Sequence, residues 1–225
     1  NTLMCRLLAT LHDDNGDVAV QGLHHAQPSQ LEYPEAQWRS EAGVIDSYEL
    51  AGTGTLPSRL WAKPAINIIG MDITSVEHKS NTITPTCRAA ISMRIPAGQN
   101  PRAAAEALQA HLHANAPFGA QVDVQINELG EPFAGDTDGE AGEVAHWALA
   151  EAFGTQAVDI GLGASIPFIA VLEEQFPQAA ILVTGVEDPD TRAHSANESL
   201  HIADFKNVVL AEALMLARWG KTLAR

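Results

Sequence analysis

Apolar residues recur along this chain in two rhythms, and the change between them divides it. Leu3, Leu7, Leu8 and Leu11 fall at helical spacing, and Asn15-Gly16 supplies the punctuation that ends a helix. Residues 24–63 are mixed and polar, with a helix expected from Tyr33 to Ala42, begun at Pro34-Glu35, and a loop at Gly52–Pro57. Ile66, Ile68, Met71 and Ile73 then alternate, with a slip of phase at Ile69-Gly70 that predicts a strand carrying a bulge. From Ile83 to Ile95 every odd position is apolar or Pro, while even positions carry Thr84, Thr86, Arg88, Ala90, Ser92 and Arg94. Period two over that length predicts a long strand with one polar face. Asn100-Pro101 caps and starts a helix running through Leu108 and Leu112 to Pro117, and Val122, Val124 and Ile126 alternate as a further strand. Strands with a helix on one face make an α+β layer.

Beyond Asp138 the rhythm becomes helical again. Val144, Ala145, Ala148, Leu149 and Ala152 form one face of a helix ended by Gly154, a glycine turn follows, and a second helix is expected from Ile166 to about Gln175. Ala180–Val183 is short and wholly apolar, which reads as a strand buried on both faces. The final helix, about Ala203 to Trp219, is apolar on more than one side and must be largely covered. Helix, strand, helix, strand, helix is α/β order, so a domain boundary is expected near Pro132–Thr137.

Charge narrows the partners. With 28 acidic and 13 basic residues the chain carries a net charge of −15, which argues against nucleic acid or an anionic membrane as a partner, since both call for clustered Lys and Arg. No apolar stretch is long enough to span a bilayer. Cys5 and Cys87 are the only cysteines and both sit in apolar patterns, so buried free thiols in a reducing, cytoplasmic setting are expected. The first residue is Asn1 and the chain opens inside an apolar helical pattern, so further sequence is expected upstream.

Candidate chemistry concentrates after the last apolar run. Gly185 to Leu200 is a loop dense in Asp, Glu, Ser and Asn around one histidine, His194, and ligands collect beyond the carboxyl ends of strands in open α/β sheets. One loop histidine is as readily a solvated side chain as a metal ligand. Glu187, Asp188, Asp190 and Glu198 either orient its second nitrogen or form a solvated acidic loop. His12-Asp13-Asp14 has the spacing of a metal-binding pair but ends a surface helix before a turn, where such residues cap and solvate.

The run Thr184-Gly-Val-Glu-Asp-Pro-Asp-Thr-Arg-Ala-His194-Ser-Ala-Asn-Glu-Ser-Leu200, preceded by Gly163-Ala-Ser-Ile-Pro-Phe168, resembles the end of the catalytic domain in M20 zinc peptidases, particularly their dipeptidase and carnosinase-like branch. Leu60-Trp-Ala-Lys-Pro64 and Ile91-Ser-Met-Arg-Ile-Pro96 extend the likeness to nearly the whole chain. The resemblance implies an α+β lid, or dimerisation, domain over residues 1–136 and the C-terminal part of an α/β metallopeptidase catalytic domain over 137–225, with the N-terminal catalytic portion absent. It implies that His194 is the last protein ligand of a two-metal, zinc-type site, and that Arg94, Gly163 and Ser165 bind the carboxylate of a small peptide. The general base is implied upstream. Ala164 stands where the family usually has a second glycine, which crowds the turn with a Cβ. The implied protein is a cytoplasmic dipeptidase, homodimeric through its lid. The alternatives are an M20 amidohydrolase acting on N-acyl amino acids and a non-catalytic dimerisation module.

Overall fold

A computed structural model describes residues 1–27, 31–135, 137–161 and 167–223. The chain divides into two compact units. The first comprises Asn1–Gln30, Glu49–Phe133 and Gly161–Pro167, and the second Leu31–Tyr48, Ala134–Ile160 and Phe168–Arg225.

The first unit is built on helix α1 (Thr2–Ala9), a two-stranded antiparallel sheet of β1 (Ala65–Asp72) and β2 (Arg88–Arg94), and helix α3 (Pro101–Ala114). Helix α2 (Glu35–Glu41) belongs to the second unit. Ile66 faces Met93 and Ile68 faces Ile91, and the register shifts between Ile68 and Gly70, where the sequence rhythm slips. The bulge leaves Ile69 outside the pairing, and it is exposed. Leu7, Leu11, Val20, Ile66 and Leu112 form the buried core, with Leu108, Ile91, Met93, Val122 and Val124 packed around it. Asn100 caps α3 by accepting the Ala103 N–H at 2.9 Å.

Four expectations for this unit change. β2 is shorter than the alternation from Ile83 to Ile95, because β1 stops at Asp72, opposite Arg88, and nothing pairs with residues 83–87 among the described residues. Val122 and Val124 pack on the core as their alternation requires but join no ladder. α1 ends at Ala9, and Gly16, with φ +86°, turns the chain within a separate tight loop. Cys5 and Cys87 are free, but Cys5 is exposed and Cys87 half-buried: Leu7 takes the buried face of α1, and Cys87 precedes the paired part of β2.

A polar knot fixes the loop before β1. Lys63 donates to Asp17 Oδ1 and to the Thr53 carbonyl, both at 2.7 Å, while the Thr53 N–H reaches Asp17 Oδ2 at 3.1 Å. Burial raises the Asp17 pKa, but the hydrogen bonds from Lys63 and Thr53 and the lysine's charge outweigh it and hold the carboxyl below its usual value. Nearby, Trp61 occupies the space that a Cβ on Gly161 would need, at 2.4 Å, so the chain passes there only as glycine.

The second unit is centred on two helices, α4 (Glu140–Phe153) and α6 (Ile202–Leu223), with α5 (Pro167–Gln175) between them in sequence. Val144, Ala145 and Ala148 of α4 meet Ala211 and Met215 of α6, with Leu182 and Trp147 packed alongside. Gly154 ends α4 in the left-handed conformation, φ 69°, as its position in the sequence predicts. Ala180–Val183 is not a strand: Leu182 packs on the helix pair, but Val183 is exposed and the segment has no ladder partner among the described residues. α6 has a second apolar stripe, Ile202, Phe205, Val209 and Leu216, exposed on a face turned away from the one that meets α4.

Candidate functional site

The segment that carries His194 is organised by Thr191. Its N–H donates to the Asp188 carbonyl at 3.0 Å, its carbonyl accepts the Ser199 N–H at 3.0 Å, and its hydroxyl oxygen accepts the Asp188 N–H at 2.9 Å. Asp188 Oδ1 in turn accepts the Asp190 N–H at 2.7 Å. Between these stitches the chain makes a tight excursion in which Arg192, His194 and Asn197 all have left-handed φ, at 55°, 62° and 59°. His194 stands exposed on it, and no hydrogen bond or ion pair engages its ring among the described residues. An exposed imidazole with no internal partner can offer a ring nitrogen to a metal as readily as to water.

Arg94 is placed by β2 in the other unit. Because β2 is extended, Arg88, Ala90, Ser92 and Arg94 share one face, and the two arginines lie about 20 Å apart along it. Their surroundings differ. Arg88 is held across the sheet by Asp72, with Nη2 at 2.6 Å from Oδ2. Arg94 pairs in register with Ala65, is exposed, and has no ion-pair or hydrogen-bond partner among the described residues. Its planar fork of donors is open to an incoming carboxylate. Gly163 and Ser165 lie outside the described residues.

Two further groups carry candidate chemistry, one in each unit. Asp188, His201 and Asp204 bring ligand-type atoms within 4.8 Å of one another, His201 Nδ1 lying 2.8 Å from Asp204 Oδ2. His201 and Asp204 were not singled out in the sequence; the signal was His-x-x-Asp at the start of a helix. That spacing also serves a helix start, where Asp204 complements the dipole of α6. In the first unit a cavity of about 180 Å³ is lined by His12, Asp17, Arg59, Lys63 and Asn67. Its cations are committed, Lys63 to Asp17 and Arg59 to the Gly54 carbonyl at 2.9 Å. Asp13 accepts the N–H groups of Asn15 and Asp17 through Oδ1, so it caps the turn after α1.

Residues 1–120 match the family profile described as the peptidase dimerisation domain of M20 enzymes, and the chain belongs to the M20 peptidase family. Residues 1–120 are thus an M20 dimerisation domain, and 96% of the chain has the fold of M20 peptidases. Among curated proteins it is 32% identical over 222 residues to a cysteinylglycine-S-conjugate dipeptidase of Corynebacterium striatum, covering 97% of this chain and 49% of that protein. Human carnosine dipeptidase 1 has the same fold over 96% of this chain and 49% of its own, with a TM-score of 0.73 at 18% identity. An M20 family metallo-carboxypeptidase of Sulfolobus solfataricus superposes with a TM-score of 0.73 at 16% identity, over 96% of this chain and 51% of its own. The chain therefore spans about half the length of the relatives it matches. Among the described residues, no helix is long and apolar enough to cross a membrane.

Proposed function

We propose that this chain is the lid, residues 1–136, and the C-terminal catalytic portion, residues 137–225, of a cytoplasmic metal-dependent dipeptidase. The observation that carries the reading is its 32% identity, across 97% of its length, to a dipeptidase. The family match over residues 1–120 lies inside the proposed lid, although Leu31–Tyr48 clusters with the second unit. The exposed second stripe of α6 supports the rest, since Phe205, Val209 and Leu216 are suited to burial against the remainder of a catalytic domain.

His194 would donate one imidazole nitrogen to a zinc of a two-metal site, with the other ligands and the general base contributed by the rest of the protein. Such a metal pair, when bound, supplies an acidified water and polarises the peptide carbonyl. Arg94 would grip the terminal carboxylate of a small peptide with paired N–H donors, fixing the substrate's register. Gly163 and Ser165 would add hydrogen-bond donors to the same carboxylate. The lid would pair two subunits; sedimentation velocity should show a discrete dimer that persists on dilution, and a clean monomer would contradict this.

The test is hydrolysis by the intact protein of dipeptides, Cys-Gly among them, beside N-acetyl amino acids, with and without a chelator. Chelator-sensitive cleavage of dipeptides should dominate. The 225-residue chain alone should be inactive, because one imidazole falls short of the three protein ligands that a catalytic zinc needs. Preferential deacylation of N-acetyl substrates would overturn the reading, as would hydrolysis by the isolated chain.

A further inference from the structure

We propose that Thr191 is the positioning residue for His194, fixing through its hydroxyl the direction in which the imidazole is offered to a metal; this rests on the reading of His194 given above. Thr191 is the one buried polar side chain among the described residues, 5% exposed, and it lies three positions from His194. A hydroxyl is costly to bury unless its bonds are made, and here its oxygen takes the Asp188 N–H while the same residue's N–H and C=O bind Asp188 and Ser199. The result is a closed loop from Thr191 to Ser199, stitched a second time where Ser199 Oγ donates to the Asp190 carbonyl at 3.2 Å. A histidine with φ 62° persists only where its surroundings over-determine the backbone, and the φ of His194 sets where its Cβ points. Thr191 does not touch the reacting atoms; it holds the frame from which His194 reaches them.

The experiment is a Co²⁺ titration of the intact protein, followed by the visible absorption of the bound ion, together with amide hydrogen exchange at Ser195 and Ser199. Thr191→Val keeps the branched shape but removes the acceptor, leaving the Asp188 N–H unpaired. It should weaken Co²⁺ about tenfold, the scale of one lost buried hydrogen bond passed on to the loop that carries His194, and speed exchange at both serines. Thr191→Ser keeps the oxygen and should restore affinity to within about threefold. Unchanged affinity in Thr191→Val overturns the proposal, and so does Thr191→Ser behaving like Thr191→Val, which would assign the effect to packing of the methyl group. Ser199→Ala removes only the outer stitch and should weaken Co²⁺ by a smaller factor; if Thr191→Val does not fold, unaltered affinity in Ser199→Ala overturns the proposal instead. His194→Ala separates the two levels: if it leaves Co²⁺ affinity unchanged, His194 is not a ligand and both readings fall, whereas a loss in His194→Ala alone defeats only the role of Thr191.

Discussion

The two units solve the problem of burial differently. The first closes a core around Leu7, Leu11, Val20, Ile66 and Leu112 and ties the loop before β1 down with the Asp17–Lys63–Thr53 knot. The second buries one face of α4 against one face of α6 and leaves Ile202, Phe205, Val209 and Leu216 exposed. The first unit exposes apolar side chains too, Ile69, Val76, Ile83 and Phe118, but at the bulge of β1 and in its loops, whereas in the second they line one face of a 22-residue helix, a continuous stripe suited to burial. The proposed roles also divide between the units: recognition rests on a strand of the first, and metal binding on a loop of the second.

The largest effect should come from the loop. His194→Ala in the intact protein should lower kcat/KM by on the order of a hundredfold or more, since even outer supports of a metal cost ten- to hundredfold. Because the metal is needed whatever the substrate's terminus, dipeptides and their C-terminal amides should suffer alike. Kinetics on both substrates check this; a selective loss would give His194 a recognition role and blur the division.

A smaller effect tests what ties down the loop before β1 in the first unit. Asp17→Asn should destabilise it by about 1–2 kcal/mol, the scale of a charge-assisted bond at a partly buried site. Asp17 has a folded pKa below its ordinary value of 3.8, so its contribution is fully present above the unfolded value and is lost as pH falls through the folded one. The gap in Tm between the native protein and Asp17→Asn should therefore be constant near neutrality and close below about pH 4. A gap that persists into acid would remove the Lys63–Asp17 pair as its cause.

The same division governs how far the amino-acid pattern could be read. Where an element's determinants are local, they were legible: Asn100-Pro101 announces α3, Gly154 ends α4, and the slip at Ile69-Gly70 marks the bulge in β1. Where an element needs a partner, alternation records only which side chains are buried. Val122 and Val124 reach the core without a ladder, and Ala180–Val183 has strand-like composition without a strand to pair with. The roles proposed for His194 and Arg94 rest on the ordered runs that resemble M20 enzymes. His201 and Asp204 were not legible, since His-x-x-Asp at a helix start serves the helix as well as it would serve a metal. Thr191 was invisible for another reason: a threonine in a polar loop gives no sign that it will be buried.

The most direct test is the pair of arginines on one face of β2. Arg94→Ala in the intact protein should cost about 2–3 kcal/mol in kcat/KM for dipeptides, the worth of a charge-assisted bidentate contact, while dipeptide amides change little. Arg88→Ala is the internal control: its pair with Asp72 is exposed on both sides and should contribute no more than about 1 kcal/mol of stability, with substrate preference untouched. The measurement is the ratio of kcat/KM for a dipeptide to that for its C-terminal amide in the native protein and both variants. A ratio that collapses in Arg94→Ala and holds in Arg88→Ala is the expected result. An unchanged ratio in Arg94→Ala would make that residue a surface arginine and contradict the proposal that the lid reads the substrate's carboxylate.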